Sequence, residues 1–241
     1  GTSRAELAAL LAGRVPIIVI ETRDEASALR LVLDTVAAPG NPRPLPVFSW
    51  TLTEGLRRSY QDLGMAQKMN SAPDEVLKWI RDVNQPGVYV LKDFHPFLED
   101  PVHVRLLKDI ALGFERVPRT VVLVSHRLEL PGELTHLAAR FDLAFPSERE
   151  RREIVEHVVL QWQAAAGRAA HVDYRAVEQL VANLAGLTRA DVERLARSAI
   201  FDDGAIDHSD LAAVTRAKHE LLGGDGAVSY EYETAGLADL G

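Results

Sequence analysis

The 241-residue sequence contains no cysteine and only two methionines. Without thiols there can be no disulfide, thiolate nucleophile, cysteine-ligated zinc or iron–sulfur cluster, and the composition suits a reducing cytosol. Long apolar runs are also missing. The longest, Val15 to Ile20, is far short of the roughly 20 residues needed to cross a bilayer, and the first residues do not have the pattern of a signal peptide. A soluble, cytoplasmic protein without membrane contact is expected. An excess of positive charge is lacking as well: 27 basic residues face 35 acidic ones, for a net charge of -8, which disfavours binding to nucleic acid. Arg149, Arg151 and Arg152 do cluster, but they alternate with Glu148, Glu150 and Glu153 as a solvated helix face would. Trp50, Trp79 and Trp162 fall in separate predicted elements, which fits packing better than a stacking platform for bases.

What is present is an ordinary globular composition, 47% hydrophobic and 26% charged. Ser3, with Glu6 three residues later, reads as the cap of a helix ended by Gly13. Val15 to Ile20 is rich in β-branched residues and continuously apolar, the pattern of a strand buried on both faces of a parallel sheet. A helix over Glu25–Val36, a loop over Pro39–Pro46 and a strand at Pro46–Trp50 follow. Then come a helix over Pro73–Val83, a strand over Gly87–Asp93, a helix over Val102–Glu115 and a strand over Arg119–Ser125. A helix over Gly132–Ala139 and a short strand at Phe141–Phe145 complete the series. Five strands separated by helices predict a parallel α/β sheet flanked by helices on both faces, spanning residues 1–146.

Beyond Pro146 every apolar pattern is helical. Ser147 and Glu150 form a capping box, and helices are predicted over Glu148–Ala165, Tyr174–Leu184, Thr188–Phe201 and His208–Leu222. Asp173, Thr188 and Asp207 stand at cap positions, and Gly186 and Gly204 at helix ends. Residues 147–223 are therefore expected to form a small helical bundle. Residues 224–241, with Tyr230-Glu-Tyr-Glu233 and several glycines, have the composition of an acidic linker.

Ligands of parallel sheets bind beyond the carboxyl ends of the strands, so the segments after Ile20, Asp93 and Ser125 are where chemistry is to be sought. A phosphate-binding loop after the first strand needs glycines, whose backbone N–H groups can approach phosphates, followed by Lys and Ser or Thr at a helix start. Here the segment is Glu21-Thr-Arg-Asp-Glu25, with three carboxylates, no lysine and only Arg23 in compensation. A plain strand-to-helix turn with Asp24 as N-cap accounts for it. Asp93 ends an apolar strand as a magnesium-holding aspartate would, yet Phe94 occupies the next position, where a water-polarising glutamate is needed. A polar strand end capped by the following turn accounts for Asp93 better than a metal role does. His95, His103 and His126 show no i, i+4 ligand pairing on one predicted helix, which favours a loop histidine over a metal ligand. Ser125, His126 and Asp93 make a hydrolytic set only on paper, because no Gly-x-Ser-x-Gly elbow surrounds the serine.

Taken together, the order of elements, Asp93 at a Walker B place, Ser125 at a sensor-type strand end and Glu133-Leu134 leading through Arg140-Phe-Asp142 to Pro146 resemble the AAA-type ATPase module. Gly186-Leu-Thr-Arg-Ala-Asp-Val-Glu193 resembles the phrase that opens a helix of that family's lid. More narrowly, Leu91-Lys-Asp-Phe-His-Pro-Phe-Leu98 and the segment Leu123–Pro131 look like the bacterial, cyanobacterial and chloroplast-encoded ATPases that carry a degenerate AAA domain ahead of an active one. Lys218–Leu222 and Gly236–Gly241 resemble the lead-in to that second module. The resemblance implies a non-hydrolysing regulatory or assembly module with no catalytic residue, metal or nucleotide of its own. Asp93, Ser125 and Arg140 would be vestigial motif positions. ATP and magnesium would belong to a following AAA domain of the parent chain, and contacts would be made with that domain and with neighbouring subunits of a ring. Arg140 would be an inherited interface residue or a helix-end cation favoured by the helix dipole. Two other readings stand beside this one: a nucleotide hydrolase with an atypical phosphate loop, and a clamp-loader-like subunit without a Walker A loop.

Overall fold

The structure, a computed structural model, describes residues 2–40, 44–59, 70–201 and 203–223, and it divides into two compact units, 1–144 and 145–241. The acidic linker expected over residues 224–241 lies outside the described residues.

The first unit holds α1 (Thr2–Ala12), β1 (Ile17–Glu21), α2 (Glu25–Val36), β2 (Val47–Thr51), β3 (Gly55–Arg58), α3 (Pro73–Asp82) and β4 (Gly87–Lys92). A single-turn 3-10 helix (His95–Glu99), α4 (Pro101–Leu112), β5 (Arg119–Ser125), α5 (Gly132–Thr135) and β6 (Ala138–Phe141) complete it. The strands form one sheet in the order β3-β2-β4-β5-β1-β6. Every pairing is parallel except β2 with β3.

The central strands β1, β4 and β5 are buried almost throughout, because their continuous apolar runs supply side chains to both faces. Successive residues alternate between those faces. Ile17, Val19, Leu91, Val121 and Leu123 pack with Val76, Leu77 and Ile80 of α3 and with Leu106, Leu107 and Ile110 of α4. Ile18, Ile20, Val88, Val90, Val122 and Val124 pack with Leu7 of α1 and with Ala28, Val32 and Val36 of α2. Trp50 is buried in the first of these clusters, with its indole N–H donated to the Asn70 carbonyl at 2.9 Å, and Trp79 packs on Phe48 and Tyr89.

Five expectations are corrected. The sheet has six strands rather than five, and it is not wholly parallel. The extra strand, β3, folds back on β2 through Leu52-Thr-Glu54, with Gly55 at φ 71°, the left-handed position that a three-residue hairpin loop calls for. It is the outermost described strand on its side, and its Arg57 and Arg58 are exposed. The helix expected over Gly132–Ala139 stops at Thr135, and the strand expected at Phe141–Phe145 lies instead at Ala138–Phe141. Alanine's helix preference is a weak prior, and here pairing with residues 17–20 of β1 and burial of Phe141 override it. Finally, α1 already includes Ser3, so that serine lies inside the helix rather than ahead of it.

The second unit holds α6 (Glu148–Ala166), β7 (His171–Val172), α7 (Tyr174–Asn183), α8 (Arg189–Phe201), β8 (Ala205–Ile206) and α9 (His208–Gly223). Its core is built from Ile154, Val158, Leu180, Leu184, Val192, Leu195, Ile200 and Ile206, among others. The Ser147–Glu150 capping box is formed, and Asp173 caps α7. The pairing of β7 with β8, two residues each, was not foreseen. Trp162 packs against this core under the Arg168 guanidinium, which stands 4.9 Å from its ring. The arginines of α6 are all engaged. Arg149 pairs with Glu153 and Arg152 with Glu148 and Glu178, while Arg151 donates to the Val181 and Pro146 carbonyls. Among the described residues no helix is long and apolar enough to cross a membrane.

Candidate functional site

The sheet order brings the carboxyl ends of β4, β5 and β1 side by side, so the three segments singled out from the sequence meet at one end of the first unit. The Asp93 N–H donates to the Val124 carbonyl and the Thr22 N–H to the Ser125 carbonyl, each at 2.9 Å, which ties the three strand ends together.

At the end of β1 the chain turns directly into α2. Asp24 is the N-cap of that helix, accepting from the Ser27 N–H at 3.0 Å and from the Ser27 hydroxyl at 2.7 Å. The Asp24 N–H in turn donates to the Thr22 hydroxyl. Glu21 is engaged on the other side: one carboxylate oxygen accepts from the Leu128 N–H at 3.1 Å and from Arg140 Nη1 at 2.8 Å. Arg140 Nη2 donates to the Leu128 carbonyl at 2.8 Å. Arg140 is thus not a helix-end cation. It lies in β6, opposite Val19 of β1, and clamps the end of β1 to the segment after β5.

The hydrogen bond from Arg140, followed by that from Leu128, holds the Glu21 carboxyl below its ordinary value. The tie is therefore present at neutral pH and is lost as pH falls through that lowered value. The two side chains are 53% and 41% exposed, so solvent screening keeps the contribution under about 1 kcal/mol. An NMR pH titration should show the Leu128 amide resonance moving with an inflection below the ordinary glutamate range. An inflection at or above that range would contradict the clamp.

At the end of β4, Asp93 adopts φ 52°, left-handed geometry that aspartate tolerates better than most residues. Its side chain is exposed. Phe94 turns the other way and is fully buried against Trp50 and Phe97, so the position after the strand belongs to the core. His95 opens the 3-10 helix and its Nδ1 lies 3.2 Å from the Ser125 hydroxyl. Ser125 itself is only 2% exposed. The histidine beside the serine is thus His95 and not His126, and a hydroxyl so enclosed offers no approach for a substrate carbonyl. His126, directly after β5, is exposed and meets His95 edge to face, with ring centroids 5.1 Å apart. Asp93, His95 and His126 each bring one ligand-type atom within 4.8 Å of the other two. His103 stands apart, donating to or accepting nothing from this group: its Nδ1 bonds the Phe97 carbonyl at 2.7 Å.

Two shallow depressions, of about 390 and 480 Å³, are lined respectively by residues such as Leu98, Val104 and Lys108, and by Leu130, Ala138 and Arg140. Neither is lined by the turn from Glu21 to Glu25.

Comparison with known proteins gives a consistent placement. Three curated relatives are the AAA domain-containing protein ycf46 of Pyropia yezoensis, of Trieres chinensis and of Guillardia theta, which are 23%, 24% and 24% identical to this chain. They match over 90%, 90% and 96% of it. The chain spans only 42%, 42% and 44% of their lengths. Among solved structures, the FIGL-1 AAA domain aligns with a TM-score of 0.54 at 16% identity, covering 83% of this chain and 70% of that one. RuvB of Thermotoga maritima aligns with a TM-score of 0.55 at 13% identity, covering 90% and 68%. These likenesses establish the fold. Residues 3–143 match the N-terminal domain of the SpoVK-like AAA ATPases and residues 149–225 match the second domain, so the chain belongs to that family.

Proposed function

We propose that this chain is a non-hydrolysing module of a larger AAA ATPase and acts through protein–protein contacts rather than chemistry. One observation carries the reading. Where phosphates would need open backbone N–H groups, the turn from Glu21 to Glu25 is closed by its own side chains, with Asp24 capping α2 and Glu21 bound to Leu128 and Arg140. A helix N-terminus binds anions through free N–H groups and its dipole; here a carboxylate already occupies that place, and Glu21 and Glu25 add repulsion. The residues present therefore do not fit a nucleotide triphosphate with magnesium. Burial of Phe94 supports the same reading, because a water-polarising glutamate at that position would have to point into the core.

The relatives extend well beyond the span matched here, which supports a parent chain whose nucleotide-using domain lies elsewhere. In that arrangement the module's partners are the adjoining AAA domain and neighbouring subunits of a ring, and its contribution is interface area and regulation.

Isothermal titration of this chain with magnesium–ATP tests the proposal. No heat of binding is expected up to millimolar nucleotide. Saturable binding in the micromolar range, retained when Asp24 is replaced by alanine, would show that phosphates are held by some other surface and would overturn it.

A further inference from the structure

We propose that Asp93, His95 and His126 form a binding site for a divalent transition metal of the zinc(II) class. Each contributes one ligand atom, and the three atoms lie within 4.8 Å of one another. They come together because β4 and β5 are parallel neighbours. Lys92 is opposite Val124 in register, which sets Asp93 beside Ser125 and places His95 and His126 over the same strand ends. Among the described residues this is the one such grouping of histidines and carboxylates.

The donor set selects the class of ion. Two imidazoles and one carboxylate suit zinc, cobalt, nickel or ferrous iron, whereas magnesium and calcium take oxygen ligands. The site is therefore chemically different from a magnesium site served by Asp93 alone. With bonds of about 2.0–2.1 Å, a tetrahedral ion needs its ligand atoms roughly 3.3 Å apart, so the cluster must contract by about 1.5 Å at most. Asp93 and His126 are exposed and can rotate to close that distance, while half-buried His95 provides the fixed point.

The surroundings resemble a built ligand shell. His95 Nδ1 faces the hydroxyl of Ser125, a residue only 2% exposed, so an ion taken by Nε2 leaves that hydrogen bond intact. A partner of this kind on the second ring nitrogen fixes the ring's orientation and tautomer. The nearest arginine in sequence, Arg127, reaches Glu129 at 3.7 Å, which offsets its charge beside the site. Three protein ligands leave a fourth position to water or to a donor group from another polypeptide, and a bound ion would cross-link the ends of two central strands.

The test is titration of the metal-free chain with zinc(II) by calorimetry, and with cobalt(II) followed by visible absorption, both without nucleotide. Binding of about one ion per chain at micromolar affinity or tighter is expected, with cobalt bands typical of nitrogen ligation at low coordination number. His95→Ala and His126→Ala should each weaken binding by about 100-fold or more, and Ser125→Ala by roughly 10-fold. His136→Ala and His157→Ala, at exposed positions outside the cluster, should leave it unchanged. His126 is exposed, so its variant should fold as the parent does, which circular dichroism would verify. Millimolar binding, or binding that persists in the His95→Ala/His126→Ala double variant, would mean scattered surface histidines and would overturn the site. The proposal does not rest on the absence of nucleotide binding, and the zinc and magnesium–ATP titrations can fail independently.

Discussion

Replacing Arg119 with alanine is expected to destabilise the α/β unit by about 3–5 kcal/mol, a large fraction of a domain's usual margin. Arg119 begins β5 and is only 1% exposed, yet it carries a guanidinium that burial does not neutralise. Its Nη1 donates to the Ile80 carbonyl at 2.9 Å and also to the Arg81 carbonyl, and its Nε donates to the Val117 carbonyl at 3.2 Å. Ile80 and Arg81 are in the last turn of α3, where carbonyls lack intrahelical donors and carry the negative end of the helix dipole. The arginine therefore supplies donors and charge to this helix end through a side chain that is itself buried. Alanine would leave those acceptors unsatisfied, at about 1–3 kcal/mol each where water cannot replace the donor, and would open a cavity as well. Arg119→Met separates the two effects, since it fills most of the volume and restores no donor. Urea denaturation followed by far-ultraviolet circular dichroism measures both variants. A change within about 1 kcal/mol for the alanine variant would show that water reaches the end of α3 and that the guanidinium is dispensable.

Gly204→Ala should damage the helical unit by about 2–4 kcal/mol, through backbone and packing together. Gly204 has φ 70°, a conformation that costs a side-chain-bearing residue about 1 kcal/mol or more. A Cβ there would also fall inside the contact envelope of Trp162, within 2.9 Å of Cζ3 and closer still to Cη2 and Cζ2. The indole lies over bare backbone and packs against the Arg168 guanidinium and the apolar core. It would have to swing away and forfeit that packing. The Gly204 carbonyl also accepts from the His171 N–H at 2.9 Å, so displacement would loosen β7 from β8. Hydrogen exchange should quicken in α8 and α9 while the amides of β1, β4 and β5 keep their protection. In a Trp162→Leu background the same substitution should cost only the backbone part, about 1 kcal/mol, because the clash is gone. An undiminished cost there would place the strain elsewhere.

How far the sequence disclosed this structure depended on whether each signal was local. The strands β1, β4 and β5 were legible because burial on both faces makes each an uninterrupted apolar run, and the helices of the second unit because Ser147 and Asp173 announce their starts. The strand β3 was missed although Leu52-Thr-Glu-Gly55 between two extended segments is a hairpin signal that could have been read. The displacement of β6 had no local signal, since Ala138-Ala139 favours a helix until β1 offers hydrogen bonds alongside. Site residues divide the same way. Asp24 as a cap follows from its neighbours, and the structure forms it. The Glu21–Arg140 pair spans 119 residues and exists only because β1 lies next to β6. The meeting of Asp93, His95 and His126 likewise depends on β5 returning beside β4. A search for ligands at helical spacing could not find it, because neither His95 nor His126 belongs to a helix they share.

The exposed arginines of β3 bear on how copies of this module can meet. An open sheet edge is a template on which a second sheet can continue, and an antiparallel outer strand could pair with its own twin about a two-fold axis. Arg57 and Arg58 are consecutive on that strand and point to opposite faces, so such pairing would set like charges near one another on both faces without a counter-ion from the strand itself. The edge is thereby made unreceptive to its own kind. Self-association that respects this repulsion must use surfaces other than the β3 edge, and fibre-like growth through a shared sheet is discouraged from that side.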